Sequence, residues 1–395
     1  MNTATRFFSS ILLAGMISAC ATAPEEAMPA LWPEPDTFCA SDRVLVDAHF
    51  EAGNLGRCTV QDNGDFLLTL FPEDDPPINR STWYAYRVSG KAGDTVNIRM
   101  EYQHGYARYW PKYSLDGLNW ERMNEQLVSL DEDKDWMEIR LPLTQASVWI
   151  AGQEILDSRF YGQWLQSLAA HEEVETRLLG KSVQGRPIYI AETADKPEFI
   201  LLMGRQHPPE VTGALGMKAF MDTVFGETPL ARQFRDRFKL GIVPLVNPDG
   251  VAGGHWRHNV NGADNNRDWG PFTQPEAQIV IGWVEQNESQ GLKLRLMLDF
   301  HSTWEDLFYT QPVSDPPDFA SRWLAASALR LTDFPFKHEA NPVSEQPNAK
   351  NYFYKSRGIP AITYEVGDET DRDALRAAAV VFAEEMMRTM LATKS

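Results

Sequence analysis

Short runs of alternating apolar and polar residues fill the chain from about residue 42 to residue 152. Turn residues such as Asn63-Gly64 and Asp116-Gly117 separate these runs, a pattern typical of β-strands with one buried face. The alternation predicts strands over residues 43–49, 65–71, 82–88, 95–101, 109–115, 136–143 and 146–150. Short strands at this spacing favour an all-β sandwich. The acidic stretch at residues 73–75 is interpreted as a solvated loop.

After residue 155 the pattern changes to continuous apolar runs that alternate with helical periodicity. Strands are predicted over residues 198–204, 239–246, 292–300 and 361–366, and helices over residues 211–225, 274–286, 317–331 and 373–391. Strands that alternate with helices indicate an α/β fold with a parallel or mixed sheet. The predicted fold class is therefore an α/β, mixed-sheet domain over residues 153–395, preceded by a small all-β sandwich domain over residues 39–152.

The N-terminus predicts export. Arg6 is followed by an apolar run over residues 7–19, which is shorter than the ~18 or more residues of a membrane span. Its end, Ile17-Ser18-Ala19-Cys20, resembles the lipobox of bacterial lipoproteins. The resemblance implies a signal peptide over residues 1–19, a lipid anchor at Cys20 and a tether over residues 20–38, on a bacterial membrane and facing the periplasm. An ordinary cleaved signal peptide is the alternative.

Composition excludes one class of function, nucleic-acid binding, and suggests a role for two of the cysteines. With 37 Lys and Arg against 55 Asp and Glu, the net charge is −18, and so acidic a chain repels nucleic acid. Hydrophobic residues make up 43% of the chain, enough for buried cores.

Besides Cys20, the cysteines are Cys39 and Cys58. In an exported protein they are expected to form a disulfide that stabilises by roughly 3 kcal/mol; two buried free thiols are the alternative.

Three predicted strands end near residues suited to chemistry, namely His207, His301 and Glu365. Ligands bind at the carboxyl ends of strands in α/β sheets, so these side chains are expected to converge there. His207-x-x-Glu210 with His301 as third ligand would leave an open position, as in catalytic zinc sites. Asp264 is a candidate hydrogen-bond partner for a ligand histidine.

Two arginines and an adjacent amide lie on predicted loops downstream of these ligands. Arg257, Asn266 and Arg267 suit recognition of a carboxylate or stabilisation of an oxyanion, because guanidinium donates in a planar fork. Taken singly, the arginines are better explained as surface residues paired with the abundant acids.

Several motifs together resemble one family. The chain contains, in this order, His207-x-x-Glu210, Asn247-Pro248-Asp249-Gly250, Trp256-Arg257, Gly262-x-Asp264-x-Asn266-Arg267, Asp299-Phe300-His301-Ser302 and Tyr364-Glu365. This ordered set resembles the zinc metallocarboxypeptidase family. The β-rich first domain and the run Asp47-Ala48-His49-Phe50-Glu51-Ala52-Gly53-Asn54-Leu55 resemble its cytosolic-carboxypeptidase-like branch, in which a sandwich precedes the catalytic domain.

The resemblance implies a function for each matching position. One Zn²⁺ per chain would be held by His207, Glu210 and His301. Glu365 would be the general base that activates the attacking water, and Arg257 would polarise the scissile carbonyl and stabilise the oxyanion. Asn266 and Arg267 would bind the free C-terminal carboxylate of a peptide substrate. The membrane would be a partner only through the lipid anchor, and the oligomeric state is left open.

Lys350 gives an expectation about specificity. It stands 15 residues before Glu365, where the family places the base of the pocket for the last side chain of the substrate. An ammonium group there would favour a C-terminal Glu, Asp or other dicarboxylic residue. The alternative is that Lys350 points to solvent.

Other functions fit parts of the pattern. One is a murein stem-peptide carboxypeptidase or amidase, which suits export. Another is a zinc N-acyl-amino-acid deacylase, whose metal site resembles this one but which lacks an N-terminal sandwich. A binding module with an inactive metal site is the non-enzymatic alternative.

Overall fold

The computed structural model describes residues 34–74, 80–312, 319–341 and 344–393. The predicted signal peptide and Cys20 lie outside the described residues, as does most of the predicted tether. Among the described helices, none combines the length and the apolar character that crossing a membrane requires.

The first part of the described chain forms two packed β-sheets. Its strands are β1 (Phe38–Ala40), β2 (Leu45–Asp47), β3 (Arg57–Val60), β4 (Phe66–Leu70), β5 (Ala85–Ser89), β6 (Thr95–Tyr102), β7 (Lys112–Ser114), β8 (Trp120–Arg122), β9 (Val128–Leu130), β10 (Trp136–Pro142) and β11 (Ser147–Ala151), with a 3-10 helix at Glu125–Leu127. One sheet has the order β1-β2-β5-β11-β7-β8, and the other has the order β3-β4-β6-β10-β9.

Alternation along the strands builds the core of this sandwich. In β6, Val96, Ile98 and Met100 are buried while the residues between them are partly exposed, and Ile98 pairs with Ile139 of β10. The buried faces of both sheets meet in one apolar cluster. Each of the seven predicted strands overlaps an observed one, whereas β1, β3, β8 and β9 were not predicted, because three or four residues are too few to show a period.

A disulfide joins Cys39 of β1 to Cys58 of β3, as predicted. These strands belong to different sheets, so the bond links the two sheets covalently near the start of the described chain.

The second part of the chain is an eight-stranded mixed sheet with helices on both faces. Its strands are β12 (Val174–Lys181), β13 (Pro187–Thr193), β14 (Glu198–Gly204), β15 (Phe238–Val243), β16 (Lys293–Thr303), β17 (Leu307–Thr310), β18 (Lys337–Ala340) and β19 (Ala361–Gly367). Its helices are α1 (Ser158–Ala169), α2 (Val211–Val224), α3 (Pro229–Arg237), α4 (Pro248–Ala252), α5 (Pro275–Ser289), α6 (Phe319–Arg330), α7 (Ala349–Arg357) and α8 (Arg372–Ala392), with a 3-10 helix at Asn265–Arg267. The strand order is β12-β13-β15-β14-β16-β19-β17-β18.

The central strands are apolar on both sides because helices cover both faces of the sheet. All seven residues of β14 are buried. Ile200 and Leu202 pack into one core with α1, α2, α3, α6 and α8, whereas Leu201 and Met203 pack into a second core with α5 and α7. The predicted fold class, a mixed-sheet α/β domain preceded by an all-β sandwich, is confirmed.

The sheet places two of the predicted site residues side by side. Strands β15, β14, β16 and β19 run parallel, so their carboxyl ends lie at one edge. His301 pairs directly with Glu365 across β16 and β19. The sequence had placed His301 just after its strand, but β16 continues to Thr303, and His301 lies within it.

Candidate metal centre and active site

Two histidines and one glutamate converge at this edge of the sheet. His207 lies in the loop after β14, Glu210 immediately precedes α2, and His301 lies in β16. The Nδ1 atoms of His207 and His301 each lie 2.7 Å from a different carboxylate oxygen of Glu210. Candidate ligand atoms of the three residues lie within 4.8 Å of one another. Two imidazoles and a carboxylate in this arrangement fit one Zn²⁺ ion.

The outward nitrogens of both histidines are held by further carboxylates. His207 Nε2 lies 2.9 Å from Asp264 Oδ1, the partner that the sequence indicated. His301 Nε2 lies 2.8 Å from Asp299 Oδ2. Such partners fix the tautomer and the orientation of a metal-binding histidine, so each Nδ1 is left to face Glu210.

Two further hydrogen bonds connect Asp299 to side chains in the core. Gln206 Nε2 donates to Asp299 Oδ2 at 2.6 Å, and Trp269 Nε1 donates to Gln206 Oε1 at 2.8 Å. No role for Asp299 was predicted from the sequence. Residues two apart on a strand face the same side, so its position two residues before His301 was a usable signal, whereas nothing local indicated Gln206.

The charges around the triad shift two pKa values in opposite directions. Burial alone would raise the pKa of Glu210, but the charges and hydrogen bonds of His207 and His301 outweigh it and hold that pKa far below its usual range. Burial, reinforced by the negative charge of Glu210, raises the pKa of Glu365 to about 7. Glu365 Oε2 is buried and accepts no hydrogen bond from the described residues, so it remains available to a reacting molecule.

Arg257 and Asp264 connect the triad to the substrate side of the cleft. Arg257 Nε donates to Asp264 Oδ2 at 2.7 Å, while Asp264 Oδ1 contacts His207. Burial alone would raise the pKa of Asp264, but His207, Arg257 and Arg267 hold it far below its usual range. Asp264 therefore remains charged and orients both a candidate metal ligand and a guanidinium.

Asn266 and Arg267 line the same cleft from the 3-10 helix. Asn266 Oδ1 accepts a hydrogen bond from the backbone N–H of Ala349 at 2.9 Å, at the start of α7, and its Nδ2 lies 3.3 Å from His301 Nε2. Arg267 Nη1 donates to the carbonyl of Asn266 at 2.8 Å, and burial lowers the pKa of Arg267. Both side chains thus lie near the triad, and the described residues use only part of their hydrogen-bonding capacity.

Lys350 also faces the cleft, from the first turn of α7. Only 8% of the residue is exposed, which contradicts the solvent-facing alternative. Its Nζ lies 3.5 Å from the carbonyl oxygen of Thr310, and among the described residues no carboxylate forms an ion pair with it. Burial lowers the pKa of Lys350.

These residues share one cleft of about 710 Å³, which the sandwich helps to form. Arg80, Ser81, Tyr106 and Arg108 of the sandwich line it together with the predicted site residues. Arg108 donates to Asp368 at 2.7 Å. These four residues were not predicted to line the site, because the alternation along a strand does not show which loops of the sandwich face the second domain.

The interpretation of residues 73–75 as a solvated loop was wrong for Glu73. Its side chain is 21% exposed and lies against His255 and His258 of the mixed-sheet domain. An acidic stretch in sequence does not reveal whether one of its carboxylates has partners elsewhere in the chain.

Two family profiles match the chain. The family profile described as zinc carboxypeptidase matches residues 161–389, more than half of the chain. The profile described as cytosolic carboxypeptidase N-terminal domain matches residues 46–152.

Individual relatives and a solved structure are similar to this chain over much of its length. Cytosolic carboxypeptidase 6 of Mus musculus is 33% identical over 300 residues, covering 66% of this chain and 54% of that protein. Cytosolic carboxypeptidase 2 of Homo sapiens is 25% identical over 300 residues, covering 65% of this chain and 32% of that protein. The chain therefore spans about a third to a half of the length of these relatives. The crystal structure of a metallo-carboxypeptidase from Burkholderia cenocepacia shares the fold, with a TM-score of 0.71 and 21% identity over 88% of this chain and 98% of that one.

Proposed function

This chain belongs to the zinc carboxypeptidase family, and on that premise we propose that it is a zinc-dependent metallocarboxypeptidase that hydrolyses the C-terminal peptide bond of peptides. The observation that carries the proposal is the convergence of the His207, Glu210 and His301 ligand atoms. They lie beside a buried Glu365 oxygen that accepts no hydrogen bond from the described part of the chain.

Each residue of the cleft has a chemical role in this reaction. His207, Glu210 and His301 would hold a Zn²⁺ ion, which would lower the pKa of the attacking water. Glu365 accepts a proton from the attacking water and passes it to the leaving amine. Arg257 donates to the oxygen on which negative charge develops. Asn266 and Arg267 bind the terminal carboxylate of the peptide.

The charge and burial of Lys350 support a preference for an acidic C-terminal side chain. Its ammonium lines the cleft, is mostly buried and forms no ion pair within the described residues. A substrate carboxylate would provide the partner that a buried charge needs. Apolar side chains would leave that charge unpaired.

The N-terminal sequence supports a further proposal about location. The chain is exported and is anchored to a bacterial membrane, facing the periplasm, by a lipid on Cys20. The lipobox-like sequence at residues 17–20 carries this proposal, and the Cys39–Cys58 disulfide is compatible with an oxidising compartment.

Metal removal and substitution of Glu365 test the catalytic function. The purified protein is expected to contain one zinc per chain, to cleave peptides from the C-terminus and to lose activity on chelation. Glu365→Gln is expected to retain zinc but to lower kcat by about 10²- to 10⁴-fold, because the general base is lost.

Glu227→Gln is the matched control, since Glu227 is an exposed carboxylate of the same domain, on the loop before α3. It should retain full activity. Hydrolysis that survives complete removal of the metal, or a fully active Glu365→Gln variant, would show that the proposed mechanism is wrong.

A further inference from the structure

The loop that carries Arg257 is held by a carboxylate from the sandwich. Glu73 follows β4, and its Oε1 accepts a hydrogen bond from the backbone N–H of Trp256 at 2.6 Å. Its Oε2 accepts from the backbone N–H groups of Arg257 at 2.8 Å and His258 at 2.9 Å. One side chain therefore binds three consecutive backbone donors that lie far away in the sequence.

The surroundings of Glu73 keep its carboxylate charged. His255 Nδ1 lies 3.4 Å from Oε1, and His258 Nδ1 lies 3.6 Å from Oε2. Burial alone would raise the pKa of Glu73, but the two histidines and the backbone hydrogen bond outweigh it and lower that pKa. An ionised acceptor forms charge-assisted hydrogen bonds, which are stronger than neutral ones.

Arg257 is consequently fixed at two points. Glu73 holds its backbone, and Asp264 Oδ2 accepts from its Nε at 2.7 Å. Among the described residues, the hydrogen bonds of the Arg257 side chain involve Nε alone, while the residue lines the cleft. The terminal guanidinium nitrogens are therefore available to a substrate. A donor that is already oriented costs no reorganisation during the reaction.

We propose that Glu73 is a positioning residue for the reaction: the sandwich domain uses this carboxylate to hold Arg257 where it stabilises the oxyanion. This inference rests on the proposed carboxypeptidase function. The sandwich thereby contributes to the rate of the chemical step without touching the reacting atoms.

Kinetics of the full-length zinc enzyme test the role of Glu73. Glu73→Ala is expected to lower kcat by about ten- to a hundredfold, because a displaced oxyanion donor loses part of the 10²- to 10³-fold effect of such a group. KM should change by less than about twofold, since Arg257 acts mainly on the transition state. Zinc content should not change.

A double-mutant cycle separates positioning from general stability. In an Arg257→Ala background, whose residual activity is measured at high enzyme concentration, Glu73→Ala should lower kcat by less than about twofold. A purely structural role would reduce activity by the same factor in both backgrounds. Equal losses in the two backgrounds, or full kcat in folded Glu73→Ala, would overturn the proposal.

Two more variants complete the experiment. Glu138→Ala removes a half-exposed carboxylate of the same sandwich, on β10, and should leave kcat unchanged. Glu73→Gln keeps the size of the side chain and a neutral hydrogen-bond acceptor. If Glu73→Ala does not fold, Glu73→Gln replaces it in the double-mutant cycle, with a smaller expected loss of kcat.

The two proposals fail in different ways. If the wild-type zinc protein cleaves none of the test peptides, the carboxypeptidase function is wrong. If the wild type cleaves them and the Glu73 variants match it, only the positioning role is wrong.

Discussion

The role of the Lys350 side chain can be tested by measuring which C-terminal residues the protein prefers in its substrates. Wild type should cleave a peptide ending in Glu faster than peptides ending in Leu or Lys. Lys350→Met removes the charge and keeps most of the length of the unbranched side chain. We expect it to lower kcat/KM for the Glu peptide by about ten- to a hundredfold, since hydrogen bonds to charged groups contribute about 1.5–3 kcal/mol, and to spare the Leu peptide.

Lys355→Met is the control for this substitution. Lys355 lies on the same helix α7, is 41% exposed and pairs with Glu345, so its loss should not alter the preference. Equal cleavage of the three peptides by wild type, or an unchanged preference in Lys350→Met, would contradict the assignment of Lys350.

Helix α8 shows how an element of the catalytic domain is attached to the sandwich. Asp371 caps the helix by accepting from the N–H groups of Asp373 and Ala374 at 3.0 and 2.9 Å. Arg372 then donates to both carboxylate oxygens of Glu154, at 2.7 and 2.9 Å, and to Gln153 at 2.8 Å. The side chains of Arg372 and Glu154 are only 21% and 17% exposed. The start of α8 is thus fixed to the segment that follows the last strand of the sandwich.

Arg372→Met is expected to lower the free energy of unfolding by about 2–3 kcal/mol, because it leaves the carboxylate of Glu154 without its charged donor. Denaturant titration followed by circular dichroism would measure the loss.

Arg376→Met is the matched control, one turn further along the same helix. Arg376 is 60% exposed, and its ion-pair partner within the described residues is the exposed Asp373, so its loss should cost less than about 1 kcal/mol. Equal destabilisation by the two substitutions would show that the contact between Arg372 and Glu154 does not stabilise the fold.

At the scale of the whole molecule, a few cations surround the cleft of a chain whose net charge is −18. Arg80, Arg108, Arg257, Arg267 and Lys350 line the cleft. The Debye length is about 8 Å at physiological ionic strength, so the negative charge elsewhere is largely screened. We therefore expect local geometry, rather than long-range steering, to govern the binding of an anionic peptide end.

The location of the whole molecule is tested by lipid labelling. When the chain is expressed in bacteria with labelled palmitate, the wild type should incorporate label and sediment with membranes. Cys20→Ala should lose both properties, because one lipid site is the proposed anchor. The double variant Cys39→Ala/Cys58→Ala should keep the label. An unlabelled wild type, or a Cys20→Ala variant that remains labelled, would contradict the lipid anchor.

Local patterns explain which features the sequence predicts well. The predicted strand at residues 198–204 coincides with β14, because a strand covered on both faces is a continuous apolar run. His207 and Glu210 are three residues apart, so their convergence depends on one loop. His301 lies beside Glu365 because each residue is near the carboxyl end of its strand and the two strands are adjacent and parallel.

The sequence alone thus determined the fold class, which follows from short-range periodicity. It also indicated the candidate metal-binding triad, through the spacing of His207 and Glu210, the position of His301 at a strand end and the resemblance of the ordered motifs to zinc metallocarboxypeptidases. Only the tertiary structure decided how the two domains share the site. The contact of Glu73 with the Arg257 backbone spans 184 residues, and the link from Gln206 to Asp299 spans 93. A hydrogen bond between such distant residues leaves no period or motif in the chain. It exists only because packing brings the two partners within about 3 Å.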